Sequence, residues 1–285
     1  MISASAPGKL NLFFSVGRVR DDGYHDVFSI YQALSLRDTV SIQQASENKL
    51  NLTGTLNQKQ LEMVPLDETN ICFKTANEFF ITAGLDPVAL EINIEKHIPV
   101  AAGLAGGSAD AAAMLVALQA MFETDLDLSD IGSRIGADVP FALLGETAIG
   151  SGNGVNLEPI DATEVEYLIA YPNSGISTQQ SFQALDELRS EEQEIQLTMP
   201  GSDFYEDLRM GERPIQLGQN DLETPAVSFM PELQTWLELG GHVSGSGPSV
   251  YFWEPDATLI SQLEESSSSW VLVSGNQSGA RLEIA

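Results

Sequence analysis

The run LEINIEKHIPVAAGLAGGSADAAAMLVALQAMF, residues 90–122, carries the chain's most specific chemical signal. Gly103, Gly106 and Gly107 let the backbone approach a ligand closely, and Ser108 is placed to cap an alanine-rich helix that runs on from Ala111. The free amides of such a helix start carry roughly half a positive charge, which favours phosphate oxygens. The spacing is neither of the two common nucleotide signatures. Gly103-Leu104-Ala105-Gly106 breaks G-x-G-x-x-G, and G-x-x-x-x-G-K-[ST] occurs nowhere, which argues against a P-loop and a dinucleotide fold. An aspartate, Asp138, stands out in Gly136-Ala137-Asp138-Val139-Pro140, which reads as a tight loop before the apolar Phe141 to Leu144.

Charge sharpens the interest of the few cations. Thirteen basic against forty-one acidic residues give a formal charge of −28, which excludes nucleic acid and anionic membrane as expected partners. That field also repels a free polyphosphate, so a nucleotide site must gather cations locally or bring in a metal ion. Lys9, Arg18, Arg20, Lys96 and Arg134 are the candidates by scarcity, with Lys9 and Lys96 foremost and Arg134 read as a surface charge. Three histidines and one cysteine form no zinc constellation, so no metal ligand is assigned. The single Cys72, between Ile71 and Phe73, reads as a core thiol.

The elements that position these residues follow from periodicity. With 285 residues and 43% hydrophobic content, the chain can bury a sizeable core in about two domains. No run approaches a membrane span and Met1 to Asn11 lacks a signal-peptide core, so the expected location is cytoplasmic. Residues 2–45 read as strands, with Leu10, Leu12 and Phe14 alternating and a turn at Asp21-Asp22-Gly23. A helix is expected over Thr69 to Ala83, started by Asp67 or Thr69 and stopped by Gly84. Leu90, Ile92 and Ile94 alternate as a half-buried strand that Pro99 ends. Leu128 to Ile135 reads as a short helix, Tyr167 to Tyr171 as a strand, and Ser177 to Leu188 as a helix. The glycine-rich turn at Gly150 to Gly154 marks a domain boundary; Glu191 to Arg213 reads as a charged insertion with weak periodicity. Asn220 opens a helical region running past Pro231 to Leu239, and Gly240 to Trp253 is a glycine-rich loop that becomes a strand.

Three separated motifs then converge. The opening APGKLNLFFSVGRVRDDGYHDVFSIYQAL, the central IPVAAGLAGGSADAA with GADVPF, and the late SGSGPSVYF stand in the order of the GHMP-type small-molecule kinases. The DGYH segment resembles the branch that phosphorylates 4-(cytidine 5'-diphospho)-2-C-methyl-D-erythritol in non-mevalonate isoprenoid synthesis. The resemblance spans nearly the whole chain and weakens in Glu191 to Arg213 and the last thirty residues. It implies an α+β, two-domain GHMP kinase fold: a ribosomal protein S5 domain 2-like domain over residues 1–155, with the ATP loop and catalytic aspartate, and a ferredoxin-like α/β domain over residues 156–285. The implied reaction is transfer of the γ-phosphate of ATP, with Mg2+, to the 2-hydroxyl of the methylerythritol moiety. ATP and that cytidyl polyol are thus the expected partners, with no assignment of oligomeric state.

Carried over by motif, Asp138 resembles the general base and Lys9 the cation that orients it. Asn11 resembles the residue that holds the substrate hydroxyls. Tyr24 and His25 resemble the cytosine reader, by stacking and hydrogen bonding, and Phe182 an aromatic that closes the other face of the base. Lys96, Pro99, Gly103, Leu104, Gly106, Gly107 and Ser108 are the expected ATP-binding residues. Physical need agrees: phosphoryl transfer requires positioning, neutralisation of developing charge and an acceptor for the hydroxyl proton. A loop aspartate beside a lysine supplies both, each held by the other. A kinase for another small alcohol, such as homoserine or a mevalonate-like acceptor, is disfavoured by DGYH, and a silent metabolite sensor by the pair Lys9 and Asp138. The chain departs from the family at Ala101, Ala102, Ala105 and Ala109, where the usual loop is richer in glycine and carries two serines. Alanine restricts positive φ and puts a methyl near the phosphates. Asp110, in the first helical turn, would repel phosphate unless magnesium intervenes.

Overall fold

The computed structural model describes residues 1–283 except Asp22, Glu192, Gln193 and 266–268, so the middle of the predicted Asp21-Asp22-Gly23 turn lies outside the described residues. The strand alternation near the start becomes a long antiparallel hairpin, β1 (Ile2–Val19) and β2 (His25–Gln44). Pro7 has no amide to donate, and the register shifts between Pro7 and Lys9 and again between Asn11 and Phe13. These irregularities leave Lys9 opposite Ala33 and Asn11 opposite Tyr31. β2 also pairs with β4 (Leu90–Lys96) and β5 (Thr147–Ser151); β3 (Lys49–Gly54) lies parallel to β4, and β6 (Asn156–Pro159) pairs with β5. The short β11 (Arg281–Leu282) returns to β1 and completes a seven-stranded sheet.

The period-2 reading of β4 holds: Leu90, Ile92 and Ile94 are buried while Glu95 faces solvent. Against β1 and β2 packs α3 (Gly106–Phe122), flanked by α2 (Ile71–Ala83), α4 (Leu128–Ile135) and α5 (Val139–Leu144). Three helix starts differ from the sequence reading. α2 is capped by Asn70, whose side chain accepts from the Cys72 amide at 2.9 Å, while Asp67 serves Thr69 instead. α3 begins at Gly106, so Ser108 lies inside the first turn and Ala105 occupies the cap position with no side-chain cap bond. Val139 and Pro140 belong to α5 and not to a loop, as suits a proline whose missing amide costs nothing in a first turn.

The second sheet is antiparallel, in the order β10 (Ser269–Ser274), β7 (Glu166–Tyr171), β9 (Val250–Trp253), β8 (His242–Val243). Both its faces are covered. Tyr167, Ile169, Tyr251 and Trp253 join the main core, and Leu168, Ala170, Val250 and Phe252 pack with Leu233 and Trp236 on the other side. α6 (Thr178–Leu188) is capped by Ser177. The charged insertion contains a helix that weak periodicity did not disclose, α7 (Ser202–Met210), anchored by buried Phe204 and Leu208. The helical region after Asn220 breaks at Met230 and Pro231 into α8 (Glu223–Phe229) and α9 (Leu233–Glu238). No described helix is long and apolar enough to cross a membrane.

Candidate active site

A cleft of about 950 Å³ opens where β1, β2, the start of α3, the start of α5, α6 and the 244–249 loop meet. The β1 register aims Lys9 and Asn11 into it, both buried. The Lys9 ammonium donates to Asn11 Oδ1 at 2.5 Å and to the Gly103 carbonyl at 2.9 Å. Asn11 Nδ2 donates to Ser29 Oγ at 2.7 Å, and Ser244 Oγ receives the Asn11 amide at 3.3 Å while donating to Gly103 O at 3.2 Å. One network therefore ties β1 to the phosphate loop and to the SGSGPS segment. Burial lowers the Lys9 pKa, and the charge of Asp138 acts in the opposite sense.

Asp138 stands at the N-cap of α5, yet its side chain makes no cap bond, and among the described residues it forms no ion pair. Lys9 thus acts on it through space and not by direct contact, which corrects the picture of two groups holding each other. The free carboxylate has a protonated neighbour in Tyr31. Burial raises that phenol's pKa well above its ordinary value, and Asp138 pushes it the same way. A carboxylate without a partner, in a cleft beside a phosphate loop, can accept a proton from a bound hydroxyl.

The loop itself differs from expectation in instructive ways. Gly103, Gly106 and Gly107 line the cleft; Pro99 and Leu104 are buried behind it, and Ser108 is half-buried within the first turn of α3. Ala101 and Ala105 adopt φ of 52° and 57°, so alanine occupies left-handed backbone that glycine would take without strain. Lys96 does not present a charge to the cleft. Its ammonium bonds Asp38, Asp110 Oδ2 at 2.9 Å and the Gly106 carbonyl at 3.3 Å, and Asp38 also receives the His97 and Ile98 amides. Burial would lower Lys96, but attraction to Asp110 and Asp38 outweighs it and holds its pKa above the usual range. Asp110 is correspondingly not a surface charge facing phosphate: it is buried, Oδ1 has no partner, and burial pushes its pKa up to about 7 against the pull of Lys96.

At the other end of the cleft the DGYH residues meet α6. Tyr24 is 64% exposed at the rim, and the His25 ring lies 5.0 Å from the Phe182 ring at 31°. Phe14 meets Phe182 edge-on at 6.5 Å. His25 Nε2 is 2.8 Å from Asp186 Oδ1. The structure therefore gathers Lys9, Asn11, Tyr24, His25, Asp138 and Phe182 in one cleft. It adds Tyr31, Asp186 and a Thr178–Ser246 hydroxyl pair 3.0 Å apart, which the sequence reading missed. Asp186 was legible in principle, four residues after Phe182 on one helix face. Tyr31 emerges only from the strand register that sets it opposite Asn11.

The family model for the GHMP kinases N terminal domain matches residues 70–146. The 4-diphosphocytidyl-2-C-methyl-D-erythritol kinase of Rhodococcus jostii (strain RHA1) is 39% identical over 269 residues, 89% of this chain and 85% of that protein. The enzyme of the same name from Nocardia farcinica (strain IFM 10152) is 41% identical over 261 residues, 87% and 83% of the two chains. A crystal structure of 4-(cytidine 5'-diphospho)-2C-methyl-D-erythritol kinase superposes with a TM-score of 0.75 at 29% identity, covering 96% of this chain and 99% of that one. A homoserine kinase from Cytophaga hutchinsonii ATCC 33406, TM-score 0.67 at 16% identity, covers 99% and 97% and shares the fold.

Proposed function

The chain belongs to the 4-diphosphocytidyl-2-C-methyl-D-erythritol kinase family of the GHMP kinases, and from that membership we propose how its cleft performs the transfer. The reaction is phosphorylation of the cytidyl methylerythritol for isoprenoid precursors. ATP is the family's donor. The observation that carries the residue assignment is Asp138: a half-buried cleft carboxylate with no cap bond and no ion pair among the described residues.

In the proposed mechanism, Asn11 and Lys9 fix the acceptor's polyol end, and Asp138 takes the proton of the 2-hydroxyl as its oxygen bonds to the γ-phosphorus. The bond from the γ-phosphorus to the bridging oxygen breaks, and ADP leaves. Amides of Gly106 and Gly107 at the start of α3 receive phosphate oxygens, and Lys9, whose ammonium already spans Asn11 and Gly103, neutralises charge that develops between the substrates. Lys96 and Pro99 contribute backbone alone, since the Lys96 ammonium is held by two aspartates. Among the described residues no three acidic, histidine or cysteine side chains gather as a metal site. The nucleotide phosphates would themselves be the main ligands of magnesium, with water completing its shell. Bound there, magnesium would neutralise phosphate charge.

Tyr24, His25 and Phe182 read the cytosine. Two sheets, one seven-stranded and one four-stranded, are in keeping with an S5 domain 2-like half over residues 1–155 and a ferredoxin-like half over residues 156–285, although β6 and β11 of the second half join the seven-stranded sheet. A cytoplasmic enzyme of small-molecule substrates, with no nucleic-acid partner, fits the charge of −28. Phosphorus NMR of the product tests the reading: ATP and the cytidyl polyol should yield ADP and a new phosphomonoester on the tertiary oxygen, with homoserine and mevalonate untouched. No product, or equal use of the other alcohols, would overturn it.

A further inference from the structure

His25 is useful as a base reader only if its cleft-facing nitrogen has a fixed hydrogen-bonding sense. A neutral imidazole carries one N–H and one lone pair, and which nitrogen holds which is set by the partner of the other. Here Nε2 lies 2.8 Å from Asp186 Oδ1. An ionised carboxylate has no hydrogen to give, so the imidazole must donate from Nε2, and Nδ1 is left as a bare acceptor. Nδ1 makes no hydrogen bond among the described residues. The ring is also held against Phe182, with centroids 5.0 Å apart, its side chain is only 8% exposed, and a half-turn of the ring would take Nε2 away from Asp186.

We infer that Asp186 is a specificity-determining positioning residue: by holding the proton of His25 on Nε2 it makes Nδ1 an acceptor for the exocyclic amine of cytosine and a poor match for the 4-oxygen of uracil. The inference rests on the reading of His25 as the base reader. Cytosine presents an amino donor at position 4, where uracil presents an oxygen acceptor. An acceptor at Nδ1 gains a hydrogen bond from the first and faces lone-pair repulsion from the second. Asp186 lies one helical turn beyond Phe182 on α6, so a single helix supplies both the ring that supports the imidazole and the carboxylate that sets its proton.

Calorimetry with cytidine diphosphate and uridine diphosphate on the full chain tests this, because the ratio of the two affinities cancels every effect on the shared diphosphate and ribose. The wild type should prefer cytidine by about ten- to a hundredfold, the worth of one good base-edge contact. Asp186→Ala should bring the ratio toward one with the melting temperature and the KM for ATP unchanged. Asp186→Asn, which retains an acceptor oxygen, should keep most of the preference, and Asp186→Lys, a pure donor that forces the proton onto Nδ1, should erase or invert it. Asp186→Ala with the wild-type ratio would overturn the inference while leaving the base reader intact. A wild type that binds both nucleotides equally would instead remove the base reader itself, and the inference with it.

Discussion

At the scale of single residues, Asp138 and Asp110 do opposite work. Asp138 has no side-chain hydrogen bond among the described residues, so Asp138→Asn should leave the fold and ATP binding in place while kcat falls by about 10²–10⁴-fold, the usual worth of a general base. Steady-state rates beside a melting curve check this; near-normal turnover would remove Asp138 from the mechanism. Asp110 is bound, but incompletely, with Oδ1 unpartnered. Burial raises its pKa from 3.8 to about 7, so between those values the folded chain holds a proton that the unfolded chain has released. Stability from this group is therefore full below pH 4 and is lost as pH rises toward 7. Asp110→Asn removes that dependence, so the melting temperature of the variant relative to wild type should climb between pH 4 and 7 and then level off. A constant difference across that range would show that Asp110 is charged throughout.

At the scale of elements, the phosphate loop works because a few backbone torsions are fixed by its neighbours. Gly103 has φ +77°, and a Cβ placed on it would lie 2.2 Å from the Ser244 carbonyl oxygen. Its own carbonyl is the acceptor that Lys9 and Ser244 share. Gly103→Ala should thus lower the melting temperature and kcat together, the left-handed strain alone costing about 1–2 kcal/mol before the collision is relieved. Gly107 is the contrast: it lies inside α3 and a Cβ there meets nothing within 4 Å. Gly107→Ala should stabilise the helix by about 0.5–1 kcal/mol and raise the KM for ATP, because its methyl enters the cleft. A variant whose KM for ATP is unchanged would mean that this turn is not where phosphate sits. Such contrasts also mark how far sequence reading reaches. β4, α4 and the Gly84 stop followed directly from period and punctuation, because each is decided by residues next to one another. α7 was missed because only Phe204 and Leu208 of it reach the core, too few for a visible period. The partners of Lys96 were missed because Asp38 lies on β2 and Asp110 on α3, 58 and 14 residues away, and only the sheet register brings them together. In the site, motifs marked Lys9, Asn11 and Asp138, whereas Tyr31 and the Thr178–Ser246 pair depend on tertiary placement that no local pattern encodes.

At the scale of the whole molecule, a protein of formal charge −28 must bind a tetra-anionic nucleotide, and its cleft does little to reverse that field. Among the described residues lining the cleft, Lys9 is the lysine or arginine present, set against Asp138 and Asp186, while Lys96 is neutralised by Asp38 and Asp110. Attraction therefore comes from backbone amides and one buried ammonium, which act over a few ångströms, and repulsion from a surface charge that acts over the Debye length, about 8–10 Å near physiological salt. Added salt screens the long-range repulsion far more than the short-range, partly buried attraction. Affinity for ATP should accordingly be weak without magnesium, and moderate salt should tighten it or leave it unchanged, the reverse of the behaviour of a basic nucleotide site. Titrations of ATP with and without magnesium across a salt series decide the matter. Binding that weakens steadily with salt and ignores magnesium would mean that local cations dominate, and that the acidic surface has no hold on the site.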